Sequence, residues 1–200
     1  DFKGKNKKGE ELKISILPTL LVTAVARTPV SKITTSEFKN DKDFIYLLGH
    51  ENKSFIGSEL NNIFELKDLS GAGEINLKKN YRLYKLIHQT LGKGIINSLH
   101  DLSDGGLMVA IAESCLGGNL GADISLEENN LLTLFGEGAG QILASVNPLH
   151  VETFEKVLSE CDPVILGQVS NSKRLQVIAN KELIIDQSIE SLSESFKNKF

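Results

Sequence analysis

The chain has 200 residues, an ordinary size for one domain, and its 40% hydrophobic content suffices for one buried core. Its formal net charge is −4 and its 22 basic residues are scattered, which argues against nucleic acid as a partner. No apolar run approaches the roughly 20 residues that span a bilayer, so we expect a soluble, cytoplasmic protein with no membrane partner.

The N-terminal part changes from polar to apolar composition. Residues 1–13 are dominated by Lys, Gly, Asn and Glu, which predicts a polar N-terminal tail ahead of a domain over residues 14–200. Residues 14–26 are rich in β-branched and apolar side chains and predict a strand, with Pro18 at an edge or a break. The apolar run at residues 43–49 predicts a second strand, buried on both faces.

The middle of the chain predicts a helix followed by a strand–loop–helix unit. Apolar residues between positions 76 and 91 recur at steps of three and four, as a helix lying on a core requires. Residues 95–99 predict a short buried strand, and residues 100–106 predict a polar, glycine-rich turn. The apolar spacing over residues 107–115 then predicts another amphipathic helix.

Strands and helices continue to alternate in the rest of the chain. Strands are predicted at residues 122–126, 141–146, 164–169, 175–179 and 182–185, the last two joined by a hairpin turn at Asn180 and Lys181. Helices are predicted at residues 128–135, 148–158 and 189–196. This alternation predicts an α/β layered domain. Cys115 and Cys161 lack metal-ligand spacing and are predicted to be small buried hydrophobes without a disulfide.

The candidate site is the loop at residues 100–106, His-Asp-Leu-Ser-Asp-Gly-Gly, where a strand passes into a helix. A helix N-terminus offers unpaired N–H groups and partial positive charge, and glycines let a phosphate approach them. A neighbouring carboxylate could hold Mg²⁺ together with that phosphate. In the alternative interpretation, Ser103 or Asp104 is simply the N-cap of the helix. The residues expected to border the anion are Asp101, Ser103, Asp104, Gly105 and Gly106.

Two further glycine-containing segments have ordinary structural explanations. Residues 135–140 are consistent with a turn, because they lack the Gly-Lys-Ser/Thr ending of a Walker loop and precede a predicted strand. Gly57 and Ser58 are consistent with the start of a helix capped by Ser58, with a ligand contact as the alternative.

The loop also carries a family resemblance. Residues 98–113, Ser-Leu-His-Asp-Leu-Ser-Asp-Gly-Gly-Leu-Met-Val-Ala-Ile-Ala-Glu, resemble the segment that opens the main helix in the last domain of the phosphoribosylformylglycinamidine synthase family. The flanking segments resemble those of the family in the same order, at residues 16–19, 46–49, 56–59 and 134–141. The resemblance extends over about residues 14–186, and it points to the C-terminal domain of the second synthetase half.

The resemblance implies a fold and a chemistry. The fold would be a three-layer α/β/α domain like the C-terminal domain of aminoimidazole ribonucleotide synthetase, partly ferredoxin-like. The family converts formylglycinamide ribonucleotide, ATP and glutamine to formylglycinamidine ribonucleotide, ADP, phosphate and glutamate. The resemblance also implies that Asp101 binds Mg²⁺ and that Gly57 and Ser58 border a bound nucleotide, ATP or ADP. The implied partners are an ATP-binding N-terminal domain and a glutaminase domain or subunit. We expect the isolated domain to be inactive.

Two other functions fit the same pattern. One is a non-catalytic scaffold, or a pseudo-site that holds a structural nucleotide. The other is a relative of selenophosphate synthetase or thiamine-phosphate kinase, which share the fold and a similar Asp-Gly-Gly loop. The Leu-Phe-Gly-Glu stretch at residues 134–137 and the Gly-Ser-Glu turn at residues 57–59 argue against those two enzymes.

Overall fold

Short apolar runs form strands and longer periodic segments form helices in the computed structural model, which describes residues 2–15, 21–30, 33–49, 52–66 and 73–198. The strands are β1 (Phe2–Lys5), β2 (Glu11–Ile14), β3 (Phe44–Leu48), β4 (Ile96–Asp101), β5 (Gly121–Leu126), β6 (Ile142–Val146), β7 (Val164–Ser170), β8 (Arg174–Ala179) and β9 (Glu182–Ser188). The helices are α1 (Glu59–Phe64), α2 (Leu77–Leu91), α3 (Gly106–Gly118), α4 (Leu131–Phe135), α5 (Val151–Leu158) and α6 (Ile189–Lys197), with short 3₁₀ turns on either side of α5.

Seven of the strands form one mixed sheet in the order β4-β6-β3-β7-β5-β8-β9. Strands β5 and β8 are parallel, and the other neighbouring pairs are antiparallel. Successive side chains of a strand point to opposite faces of its sheet, so a central strand can contact two cores. In β3, Ile45 packs into one core whereas Tyr46 and Leu48 pack into another. The prediction that this strand is buried on both faces is confirmed.

Helices cover both faces of the sheet and complete three layers. The first core joins α3 and α6 to the sheet through residues such as Ile111, Val177 and Ile189. The second core lies under α2 and α5, where Leu83 and Phe154 are buried. Full burial of one such side chain contributes about 1.5–3 kcal/mol, so the two cores are the main stabilising term. The predicted α/β/α architecture is confirmed.

The C-terminal hairpin forms where the sequence predicts it. Strands β8 and β9 pair antiparallel, and the turn between them contains Asn180 at φ 50° and Lys181 at φ 68°. Two successive positive φ angles match the right-handed twist of the strands that the turn joins. None of the described helices has the combination of length and apolar character needed to cross a membrane.

The N-terminal segment differs from two predictions. Residues 1–13 are predicted as a polar tail, but they contain two strands, β1 and β2, which pair antiparallel with Phe2 opposite Ile14. The strand predicted for residues 14–26 is also wrong, since β2 ends at Ile14 and no strand is present at residues 21–26. Residues 16–20, which include Pro18, lie outside the described residues. β-Branched composition favours a strand only where a neighbouring strand supplies hydrogen bonds, and residues 21–26 have none in the described part of the chain.

The chain divides into two compact units, Asp1–Val30 and Ser31–Phe200. The second unit contains the seven-stranded sheet and both cores. It also contains every residue that the sequence singles out as a candidate site, so the site is described within this unit alone.

Candidate functional site

The candidate loop lies between the last residue of β4, Asp101, and the first residue of α3, Gly106. Its turn is closed by the Gly106 N–H, which donates to the Ser103 carbonyl oxygen at 3.1 Å. Gly105 has φ 80° and Gly106 has φ 66°, in the left-handed region that other residues enter at a cost. The paired glycines are therefore explained by the backbone turn itself.

A cleft of about 520 Å³ opens beside this loop. The residues that line it come from the loop, from the glycine-rich segment before β6 and from α2, and they are Tyr84, Asp101, Leu102, Ser103, Asp104, Glu137, Gly138, Ala139, Gly140, Gln141 and Ile142. The Asp101 side chain is 79% exposed. Among the described residues that line it, three carry carboxylates and none is Lys or Arg, so this part of the cleft wall is acidic.

Glu137 joins the glycine-rich segment before β6 to the candidate loop and to the first residue of α1. Its Oε1 atom accepts a hydrogen bond from the Gly105 N–H at 2.8 Å and another from the Glu59 N–H at 2.8 Å. Its backbone exchanges hydrogen bonds with Ser54, at 2.8 and 3.0 Å. The carboxylate thus occupies the N-terminal ends of α3 and α1 together, where partial positive charge stabilises an anion.

The role of Glu137 could not be predicted from the sequence, because residues 135–140 have the composition of an ordinary turn. The donors to Glu137 are 32 and 78 residues away along the chain, at Gly105 and Glu59. The one available signal was a carboxylate flanked by glycines, which leave room for a side chain to reach neighbouring backbone.

The amide groups expected to receive a phosphate are already bonded within the chain. The Gly105 N–H donates to Glu137, and the Gly106 N–H donates to Ser103. Both glycines are also buried and neither lines the cleft. The expectation that these two amides face an open anion site is corrected, because a carboxylate distant in sequence takes the first of them.

The N-cap interpretation of the same loop is also wrong for α3. Gly105 occupies the N-cap position and no side chain makes the capping hydrogen bond. Ser103 and Asp104 are instead exposed and line the cleft beside Asp101. The loop therefore brings three of the five site residues predicted within it together on one surface.

Gly57 and Ser58 do not line this cleft. Ser58 is buried and is the N-cap of α1, where its Oγ accepts from the Asn61 N–H at 3.1 Å and donates to the Phe55 carbonyl at 2.9 Å. Gly57 has φ 75° in the turn before it. The capping interpretation is confirmed, and the pair reaches the site only indirectly, through the bond between Glu59 and Glu137.

His100 packs away from the cleft while its neighbour Asp101 lines it, because successive strand residues face opposite sides. The His100 Nε2 atom lies 2.9 Å from Glu113 Oε2, and its Nδ1 atom lies 3.8 Å from Asp101 Oδ1. Within the described residues, no three His, Cys, Asp or Glu side chains converge as a metal site of the chain alone would require. Asp101 could supply one carboxylate to a Mg²⁺ ion whose other ligands are phosphate and water.

Comparisons with known proteins place this geometry in a family context. The family model described as AIR synthase related protein, C-terminal domain, matches residues 43–180. A curated relative is phosphoribosylformylglycinamidine synthase subunit PurL of Thermoanaerobacter pseudethanolicus, 34% identical over 173 residues. That match covers 85% of this chain and 24% of the relative. The chain therefore spans about a quarter of the length of the curated relatives it matches.

Solved structures of PurL from Thermotoga maritima share the fold. The complex with ATP has a TM-score of 0.67 at 15% identity and covers 82% of this chain and 28% of the solved chain. The complex with FGAR has a TM-score of 0.70 at 14% identity, with coverage of 82% and 30%. PurLQS has a TM-score of 0.67 at 14% identity, with coverage of 83% and 28%. At these identities the similarity establishes the fold.

Proposed function

The chain belongs to the C-terminal domain family of AIR synthase related proteins, and on that premise we propose that it is part of a phosphoribosylformylglycinamidine synthase. In this proposal it is the C-terminal domain of the second synthetase half. The whole enzyme is an ATP-dependent C–N ligase that converts formylglycinamide ribonucleotide, ATP and glutamine to formylglycinamidine ribonucleotide, ADP, phosphate and glutamate. The 200 residues do not carry out this reaction alone.

One observation carries the proposed role of the site, namely the exposed Asp101 carboxylate on the wall of the acidic cleft. Mg²⁺ prefers oxygen ligands and is held in nucleotide sites by one or two carboxylates together with phosphate oxygens. Asp101 would hold such an ion, and Ser103 and Asp104 would border the phosphates. When bound, Mg²⁺ would neutralise charge on the nucleotide phosphates.

The remaining predicted residues support the site from outside the cleft. Gly105 and Gly106 shape the turn that presents Asp101, and Gly57 and Ser58 start the helix whose first amide binds Glu137. In this proposal their contribution to nucleotide binding is positional. None of the four needs to touch ATP or ADP for the loop to hold its conformation.

The proposed partners are the other parts of the same enzyme. An ATP-binding N-terminal domain would supply the contacts to the base and also positive charge, which the described lining residues lack. A glutaminase domain or subunit would supply ammonia. The relatives called PurL and the assembly called PurLQS support the assignment to one enzyme complex. Purine biosynthesis would place the protein in the cytoplasm.

The test replaces Asp101 with alanine in the complete enzyme. Calorimetry with ADP and Mg²⁺ should show a loss of affinity of about tenfold or more, equivalent to about 1.4 kcal/mol. Asp123→Ala is the matched control, because Asp123 is an exposed carboxylate of β5 outside the cleft lining. Equal affinity in the Asp101 variant and the control would remove Asp101 from the site.

A non-catalytic role is the second candidate, and the internal bonds of both loop glycines favour it. A pseudo-site would bind ADP without turnover, and the Asp101→Ala enzyme would then keep its ligase activity. A pure scaffold would show no thermal shift with ATP, ADP or the ribonucleotide substrate attributable to this domain. Loss of both nucleotide affinity and turnover in the Asp101 variant would support the catalytic proposal instead.

A further inference from the structure

The wall of the cleft contains an anion supplied by the chain. Glu137 lines the cleft and is partly exposed to it, while its Oε1 atom accepts from the Gly105 and Glu59 N–H groups. Two backbone donors on one carboxylate oxygen are charge-assisted hydrogen bonds, roughly twice as strong as neutral ones. A phosphate seeking the N-terminus of α3 would have to displace this side chain.

The charges around Glu137 also disfavour the binding of a free phosphate. Asp101 and Asp104 lie on the same lining, and no Lys or Arg among the described lining residues offsets them. Like charges repel more strongly at the reduced dielectric of a protein surface than they do in bulk water. A phosphate without a bound cation would therefore find the Gly105 and Glu59 amides already hydrogen-bonded to Glu137, and the acidic lining would repel it.

We infer that Glu137 is a specificity-determining residue that closes the N-terminus of α3 to free anions, so that the cleft admits a phosphate ligand only together with a divalent cation. This inference rests on the proposed nucleotide site for the identity of the ligand. The exclusion of free anions by Glu137 depends only on the geometry of this chain.

The experiment uses pyrophosphate as the probe, because it has phosphate charge without a base or a ribose. The 200-residue chain and its Glu137→Ala variant are titrated with pyrophosphate in excess EDTA. Binding is followed by calorimetry and by the NMR amide resonances of Gly105 and Glu59. Glu182→Ala is the matched control, because it removes one exposed carboxylate at the start of β9, outside the cleft lining.

The wild-type chain and the Glu182 control should leave both amide resonances unmoved. The alanine variant should bind pyrophosphate at least tenfold more tightly than wild type and shift the Gly105 resonance, since its N–H has lost its acceptor. The inference is overturned by wild-type binding in EDTA that matches the variant, or by a folded variant that gains no binding.

A second variant distinguishes two effects of the Glu137 side chain, namely its hydrogen bonds to the two amides and its negative charge. Glu137→Gln keeps an oxygen acceptor for the two amides and removes only the negative charge, so it should gain much less affinity than Glu137→Ala. Equal gains in the two variants would attribute the effect to charge alone and overturn the occupancy mechanism. Should the alanine chain fail to fold by circular dichroism, Glu137→Ser is titrated in its place with the same expected gain.

The fate of the proposed function is read separately. Titration with ADP and Mg²⁺ in the complete enzyme tests that function, whereas pyrophosphate in EDTA tests Glu137. If the alanine variant gains pyrophosphate binding but the complete wild-type enzyme binds no nucleotide, the proposed function is wrong and the inference stands. If the wild-type enzyme binds nucleotide equally well with and without Mg²⁺, the inference is wrong and the proposed function stands.

Discussion

A Cβ atom added to Gly106 would lie 2.6 Å from the carbonyl oxygen of Gly136, so the first residue of α3 packs directly on the backbone of the Glu137 loop. The Phe135 carbonyl carbon would be 2.9 Å away. Real Cβ atoms do not come this close to backbone, and backbone cannot move aside as a flexible side chain can. The two glycine-containing loops therefore depend on each other for their conformation.

Gly106→Ala should destabilise the protein through two costs. The left-handed φ of 66° costs a non-glycine residue about 1–2 kcal/mol, and overpacking costs about 1–3 kcal/mol. Urea unfolding should show a loss of about 2–4 kcal/mol in the free energy of unfolding if both costs are only partly relieved.

The control for that substitution is Gly92→Ala. Gly92 is the C-cap of α2 with φ −69°, and a Cβ there would meet nothing within 4 Å. Its free energy of unfolding should stay within about 0.5 kcal/mol of wild type. Equal losses in both variants would show that the approach of Gly106 to Gly136 is not what limits position 106.

Elements with a strong local pattern were predictable from the sequence. The helix at residues 76–91 is α2, because its apolar residues recur on one face and Asn76 caps it by accepting from the Lys79 N–H. The hairpin turn at Asn180 and Lys181 was equally clear, since the turn-forming residue Asn180 lies between two apolar runs. In these cases neighbouring residues determine the local structure.

The contacts that define the cleft could not be predicted in the same way. Loop residues 100–106 were identified as the candidate site, but the bond from Gly105 to Glu137 joins residues 32 positions apart. The sheet order places β6 between β4 and β3, which no local pattern indicates. The strand predicted over residues 14–26 failed for a related reason, since residues 21–26 lack a partner strand among the described residues.

Asp43→Asn should stabilise the protein near neutral pH. Asp43 is fully buried, and its Oδ2 atom accepts from Asn97 at 2.8 Å and from Asn40 at 3.2 Å. Its Oδ1 atom has no partner among the described residues. Burial raises the pKa of Asp43 above its ordinary 3.8, and the bonds from Asn97 and Asn40 only partly oppose this. Asparagine removes the buried charge and keeps an oxygen for both donors.

Because the pKa of Asp43 is raised in the folded chain, the stability of wild type relative to Asp43→Asn depends on pH. Below pH 3.8 the Asp43 carboxyl is protonated in both the folded and the unfolded chain and carries no charge penalty. As pH rises through the raised native pKa, the unfolded chain ionises more readily and wild type loses stability. The melting temperature of Asp43→Asn minus that of wild type should therefore grow with pH. Asp123→Asn, at an exposed position of β5, should show no such growth.

The two cysteines should differ in reactivity. Cys115 is fully buried in the first core, and burial raises its pKa to about 12. Cys161 is partly buried beside the second core, and its pKa is raised mainly by burial. Because the thiolate is the reactive form, a thiol reagent at about pH 8 should modify Cys161 first and Cys115 only after unfolding. Cys161→Ser should abolish the native-state reaction, and a fast reaction that survives this change would contradict the burial of Cys115.

Lys181→Gly should stabilise the C-terminal hairpin. Lys181 has φ 68° at the second position of the β8–β9 turn, where an Asn-Gly pair is strongly preferred. Glycine adopts this conformation without steric cost, and the gain should be up to about 1 kcal/mol, since glycine also loses more entropy on folding. The comparison is Lys78→Gly in the first turn of α2, which should destabilise by about 0.5–1 kcal/mol. Chemical denaturation of both variants shows whether each change raises or lowers the free energy of unfolding. A loss of stability in Lys181→Gly would mean that contacts of the lysine side chain stabilise the turn by more than its backbone strain costs.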